Sequence, residues 1–146
     1  MSFLTDLFAG GSKPTYALAL LGPMHALRLN GDRTTWAGTW QREHEAVSVY
    51  LMGDEQGPAT HATVCLKKVM KQPTYLDQAR AAVIDTLRNA EADYDAGRFG
   101  TELVLASISI GVAGSMEVGY EQREEPFAQF NVQFVDGMVD GVSVDT

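Results

Sequence analysis

The sequence lacks most of the features by which an enzyme or a membrane protein is recognised. A single cysteine, Cys65, excludes an intrachain disulfide framework. The 14 glycines never form GxGxxG or GxxxxGK[ST], so the loops that cradle phosphates are absent. No apolar run approaches the ~20 residues that span a bilayer, and Gly22-Pro23 interrupts the one candidate export signal. These absences predict a cytoplasmic protein with a reduced thiol, no stable membrane insertion and no cofactor.

Basic residues are scarce in the C-terminal third, where acids are abundant. From Glu91 onward the chain contains eleven acids but only two bases, Arg98 and Arg123. The first ninety residues contain eight acids and nine bases. The two parts therefore carry net charges of −9 and +1, which give the whole chain −8. An acidic surface repels the phosphates of nucleic acid and attracts basic partners. The charge distribution excludes nucleic-acid binding and predicts a basic protein partner.

The length of the chain fits one domain. A chain of 146 residues with 45% hydrophobic residues is long enough to bury a single core. Residues 1–13 are predicted to form a short N-terminal amphipathic segment, because one side of a two-turn helix would carry Phe3, Leu4, Leu7 and Phe8. Residues 14–146 are predicted to form a single α+β domain.

The hydrophobic period changes from two to 3.6 and back again along this domain. Residues 74–95 repeat apolar positions at three- and four-residue steps, which predicts one long helix. Alternating segments on either side predict strands. These segments are 16–21, 25–30, 34–43, 47–52, 61–70, 102–112, 115–122, 126–135 and 138–144.

A specific hairpin signal lies between the last two of these strands. Asp136-Gly137 forms a two-residue connection between alternating runs, which is typical of a type I′ turn with positive φ at both positions. The patterns together predict an α+β fold: a single twisted, mainly antiparallel sheet of seven to nine strands, with one long helix packed on one face.

A hydrolytic or metal site would have to use His25, His44, His61 and Cys65. If 61–70 is a strand, His61 and Cys65 lie about 13 Å apart and cannot bind one metal ion locally. We therefore predict no metal site and no catalytic residues, and a hydrolase is only the third functional alternative.

Two tryptophans share one strand face by the period-two rule. Trp36 and Trp40 could form an aromatic platform for a ligand, or they could pack in the core. The platform interpretation corresponds to an intracellular scaffold or a small-ligand-binding module, which is the second functional alternative.

The acids of the last strands are the candidate partner-binding residues. They also admit a simpler interpretation, because charges at strand edges block unwanted pairing between sheets. The candidates are Glu117, Glu121, Glu124, Glu125, Asp136 and Asp140.

The order of elements also resembles a known group. The elements concerned are the strand with Trp36, Gly38 and Trp40, the helix, and the runs LASISI, MEVGYEQ and FNVQFVDGMVDGVSV. Together they are similar to a group of small uncharacterised bacterial domains, some of them like immunity proteins paired with toxins. The resemblance spans Trp36 to Val144 and supplies no catalytic residues. It implies a non-enzymatic, immunity-type inhibitor that docks on a basic toxin or effector through its acidic face. The oligomeric state is left open.

Overall fold

The computed structural model of the chain describes residues 15–30, 33–90, 103–123 and 127–145. The predicted N-terminal segment 1–13 and residues 91–95 of the predicted helix lie outside these ranges. The elements are β1 (Thr15–Leu18), β2 (Gly22–Asn30), β3 (Arg33–Arg42), β4 (Glu45–Asp54), β5 (Gly57–Pro58), α1 (Thr60–Lys71), α2 (Thr74–Ala90), β6 (Leu103–Ile110), β7 (Met116–Gln122), β8 (Ala128–Val135) and β9 (Met138–Asp145).

These strands form one sheet of two antiparallel meanders. The strand order is β1-β2-β3-β4-β6-β7-β8-β9, and the short β5 pairs with β4. All neighbours are antiparallel except β4 and β6, which run parallel with Ser48 opposite Ser107. A parallel pair needs a long crossover connection, and α1 and α2 lie within it. The prediction of an α+β fold with a mainly antiparallel sheet is confirmed.

Residues 61–70 were predicted as a strand, and that prediction is wrong: they belong to α1. The alternation of Ala62, Val64 and Leu66 imitates a strand, but the buried residues are Ala62, Leu66 and Val69, which follow helical spacing. Val64 is 45% exposed. The basic residues of the last turn, Lys68 and Lys71, suit the C-terminus of a helix.

The described residues therefore contain two helices rather than one long helix. α2 begins at Thr74, the predicted start, and Gln72 before Pro73 is extended, with φ −119° and ψ 94°. Proline disfavours helical geometry in the residue that precedes it, so α1 ends there. Neither described helix meets the length and hydropathy that crossing a membrane requires.

Both helices pack on the same face of the sheet, which we call the covered face. Tyr75 of α2 makes an edge contact with Phe134 of β8, with ring centroids 6.3 Å apart. The hydroxyl of Tyr120 on β7 donates to the carbonyl of Leu76 at 3.0 Å. The core of the covered face includes the fully buried Val49, Leu51, Leu66, Val83, Ile108, Val118 and Val132.

The β8–β9 hairpin has the predicted turn. Asp136 has φ 53° and Gly137 has φ 78°, and Val135 pairs directly with Met138. Both positive angles are those that a type I′ turn requires. Further along, the register shifts by a bulge, so that Asp140 lies between the paired positions Val139 and Gly141.

The helical assignment of α1 predicts different costs for two neighbouring truncations. Leu66→Ala should lower the free energy of unfolding by about 2–5 kcal/mol, because Leu66 is fully buried. Val64→Ala should change it by less than about 0.5 kcal/mol, because Val64 is largely exposed. Urea unfolding of both variants measures the difference. Equal losses would indicate a strand with both side chains on one face.

Tyr120 should make the fold sensitive to alkaline pH. Burial raises the pKa of Tyr120 to about 12, against the opposing effect of Arg80. Because the unfolded state releases this proton near pH 10, the contribution to stability is complete below pH 10 and is lost as pH rises toward 12. Tyr120→Phe should cost about 0.5–1.5 kcal/mol at neutral pH, since its hydrogen bond to the Leu76 carbonyl is lost.

Urea midpoints measured between pH 8 and pH 11 test this expectation. The wild type should lose stability more steeply than Tyr120→Phe over this range. Parallel curves for the two proteins would contradict the assignment of the alkaline loss to Tyr120.

Candidate functional site

The face of the sheet opposite the described helices carries a broad polar surface, which we call the open face. Strand alternation places the polar residues of β4 and β6 to β9 there, while the apolar neighbours on β4 and β6 to β8 enter the core. Cross-strand register aligns Tyr50, Ser109, Glu117 and Gln133 in one row. The open face comprises Ser48, Tyr50, Met52, Ser107, Ser109, Glu117, Gly119, Glu121, Gln129, Asn131, Gln133, Ser143 and Asp145.

Carboxylates of the open face are oriented by neutral amides. Gln133 Nε2 donates to Glu117 Oε2 at 3.2 Å, and Asn131 Nδ2 donates to Asp145 Oδ2 at 3.2 Å. An amide fixes the position of a carboxylate without cancelling its charge. Glu121 differs, because Arg123 pairs with it at 3.2 Å. The open face therefore presents at least two oriented negative charges, on Glu117 and Asp145, that no described basic residue neutralises.

Small residues leave a depression in the middle of this surface. A depression of 370 Å³ is lined by Ser48, Ser107, Glu117 and Asn131, among others. A side chain at Gly119 would collide with the hydroxyl of Ser107, so glycine keeps the floor low. Tyr50 lines this depression and the two adjoining ones. The half-buried Tyr50 is thus the central aromatic group of the open face.

The predicted acidic candidates fall on different surfaces. Glu117 and Glu121 lie on the open face, and Asp140 lines an adjoining depression of 590 Å³ together with Glu117. Asp136 lies instead in the β8–β9 turn, beside α1. Glu124 and Glu125 lie outside the described residues. The structure therefore brings together three of the six candidates.

Sequence reasoning did not select Asp145, Tyr50 or the amides of β8 as site residues. A usable signal existed in FNVQFV, where Asn131 and Gln133 alternate with buried apolar residues. Such alternation indicates a polar face directed away from the core.

The two tryptophans lie on the covered face. Trp36 is 1% exposed, contacts the ring of Tyr16 at 6.0 Å, and donates from Nε1 to the Asp54 carbonyl at 2.9 Å. Trp40 is half-buried, and the Arg42 guanidinium lies 5.4 Å from its ring centroid. Trp36 has no free ring face for a ligand, so the pair does not form an open platform.

The histidines lie on three separate elements. His25 is on β2, and His44 is in the turn between β3 and β4. His61 and Cys65 are four residues apart on α1, not about 13 Å apart along a strand, because this segment is helical. Both line one pocket. Within the described ranges, however, no three metal-ligating side chains come together.

The environment of Cys65 disfavours a nucleophile. Burial raises the pKa of the Cys65 thiol, and the opposing effect of Lys68 is smaller. The thiol donates to the Gly114 carbonyl at 3.7 Å. The thiolate is the reactive form of cysteine, so this arrangement favours an inert packed thiol.

Comparison of the chain with protein-family models, curated proteins and solved structures finds no match.

Alkylation of Cys65 by iodoacetamide should therefore be slow in the folded protein. At pH 7 we expect a slower rate than that of the same chain unfolded in urea, because burial disfavours the thiolate and limits access to the sulfur. The folded rate should keep rising above the ordinary thiol pKa of about 8.5. Mass spectrometry of timed samples measures both rates. Fast labelling of the folded chain at pH 7 would contradict the raised pKa.

Proposed function

We propose that this chain is a non-enzymatic binding protein, an immunity-type inhibitor whose open face docks on a basic toxin or effector and covers its active site. The observation that carries the proposal is a pair of carboxylates, Glu117 and Asp145, that amides orient and that form no salt bridge with a described residue. They lie on a sheet face that no described helix covers.

The dimensions of the open face suit a protein partner. The five strands that form it, β4 and β6 to β9, are seven to ten residues long. At about 4.8 Å between strands and about 3.3 Å per residue, they cover about 24 Å by 26 Å, or about 620 Å². One partner contributes about 800 Å² to an interface of standard size. The depressions on this face are shallow and are shared along strands, which favours an extended contact over an enclosed small molecule.

The chemistry of the face also suits a basic partner. Lysine and arginine side chains bind carboxylates through charge-assisted hydrogen bonds. Tyr50 offers an aromatic anchor at the centre, and tyrosine is enriched among residues that dominate binding energy. The excess of acids in the C-terminal third would steer a basic partner toward these strands.

The test begins with capture of partners from the native host at low salt, with the tagged chain as bait. A basic protein should be recovered, and its association rate should fall steeply as added salt reduces the screening length to about 8 Å. Recovery of no basic protein at low salt would contradict the proposal.

Charge reversal on two surfaces then locates the interface. Glu117→Lys should weaken binding of the captured protein by about tenfold or more, because attraction becomes repulsion at the contact. Asp85→Lys is the matched control, since Asp85 is exposed on α2 and the charge change is the same. Both variants should unfold within about 0.5 kcal/mol of the wild type. Equal effects of the two substitutions on affinity and salt dependence would show that only net charge matters.

A further inference from the structure

A second cavity lies at one end of the sheet, next to the depression of 590 Å³, with which it shares Met116 and Phe134. It has a volume of 430 Å³ and is enclosed between α1, the start of α2 and the β6–β7 and β8–β9 turns. We call it the end pocket. One wall is formed by His61, Cys65 and Lys68, which share one side of α1 at spacings of four and three residues. The volume lies within the range of about 300–1,000 Å³ that is typical of small-molecule sites.

Turn glycines fix the two ends of the end pocket. Gly114 has φ 88°, and a Cβ atom there would lie 2.6 Å from Cδ2 of His61, so the imidazole packs directly against this glycine. At the other end, Gly137 has φ 78°, and its Cβ position would lie 4.0 Å from the hydroxyl of Tyr75. Since both glycines occupy the left-handed region, other residues would be strained there. The β6–β7 turn therefore packs closely on α1, and the β8–β9 turn lies next to the start of α2.

The floor of the end pocket is apolar. Val69, Met116 and Phe134 line it and are 1%, 5% and 2% exposed. Tyr75 packs edge-on against Phe134. Apolar lining with a few convergent polar groups is the usual composition of a small-ligand site.

The polar groups of the pocket are divided between its walls. His61 and Lys68 provide hydrogen-bond donors on the α1 wall, and neither forms a salt bridge with a described residue. Cys65, between them, already donates to the Gly114 carbonyl. The carboxylate of Asp136 lies on the opposite wall, in the β8–β9 turn. An anionic group is therefore favoured at the α1 wall, where Lys68 would repel a cation.

We propose that the end pocket binds a small organic carboxylate with an apolar body. The carboxylate accepts hydrogen bonds from Lys68 and His61, and the apolar body lies on Val69, Met116 and Phe134. This site shares no residue with the carboxylates Glu117 and Asp145 that carry the proposed docking function. Its test therefore stands or fails separately.

Three probes of equal shape and different charge test the proposal: 3-phenylpropionate, 3-phenylpropan-1-ol and 3-phenylpropylamine. Titration calorimetry with the full chain should give a dissociation constant of about 1 mM or lower for the carboxylate. The alcohol and the amine should both bind more weakly than the carboxylate. Ligand-observed NMR on the same samples detects the weaker complexes.

Two substitutions of neighbouring lysines provide the matched control. Lys68→Gln should weaken binding of 3-phenylpropionate by about tenfold and leave the alcohol unchanged, because a charge-assisted hydrogen bond is lost. Lys67→Gln should change neither, since Lys67 is exposed on α1 and does not line the pocket. Circular dichroism and thermal unfolding verify that both variants fold.

Three results would overturn the proposal. They are absence of 3-phenylpropionate binding to the wild type, binding of the amine as tight as that of the carboxylate, and equal loss of affinity in the two lysine variants.

Discussion

The parallel pairing of β4 with β6 is the constraint on which the rest of the structure depends. Antiparallel neighbours can be joined by tight turns, but a parallel neighbour must be reached by a connection that crosses the sheet. The connection here contains both described helices, and both pack on one face. Their apolar residues complete the core with the inward side chains of β4 and β6 to β8. The opposite face is consequently left to polar residues, and the turns at one sheet end meet α1 to enclose a cavity.

The two faces differ in how polar groups are satisfied. On the covered face, buried donors bind backbone carbonyls across long sequence separations, as Trp36 does with Asp54 and Tyr120 does with Leu76. On the open face, exposed side chains bind one another, both within a strand, as Gln129 does with Asn131, and across neighbouring strands, as Gln133 does with Glu117. Buried bonds of the first kind fix the fold, because an unmatched buried group is costly. Bonds of the second kind orient groups that stay accessible to a partner.

The sequence could predict what local geometry determines. The turn at Asp136-Gly137 follows from two residues that tolerate positive φ, and the start of α2 at Thr74 follows from Pro73 and the helical period after it. The assignment of 61–70 failed because Ala62 and Leu66 satisfy both periods, and only contact with the sheet distinguishes them. The open face could not be predicted either, since it depends on β4 lying beside β6, 59 residues apart at Ser48 and Ser107. The wrong assignment of 61–70 also misplaced Cys65. In a strand Cys65 would lie about 13 Å from His61, whereas in the helix both residues line one pocket.

The bulge in β9 has a further consequence, for the behaviour of the molecule at high concentration. β9 lies at the end of the described sheet and exposes Met138 and Val144, at 71% and 44%. A long, regular apolar edge would invite strands of other molecules to add to the sheet and aggregate. The extra residue at Asp140 breaks the regular spacing of backbone groups along this edge and adds a charge to it. Asp145 places a second charge near the end of the same strand, so that β9 discourages edge-to-edge polymerisation.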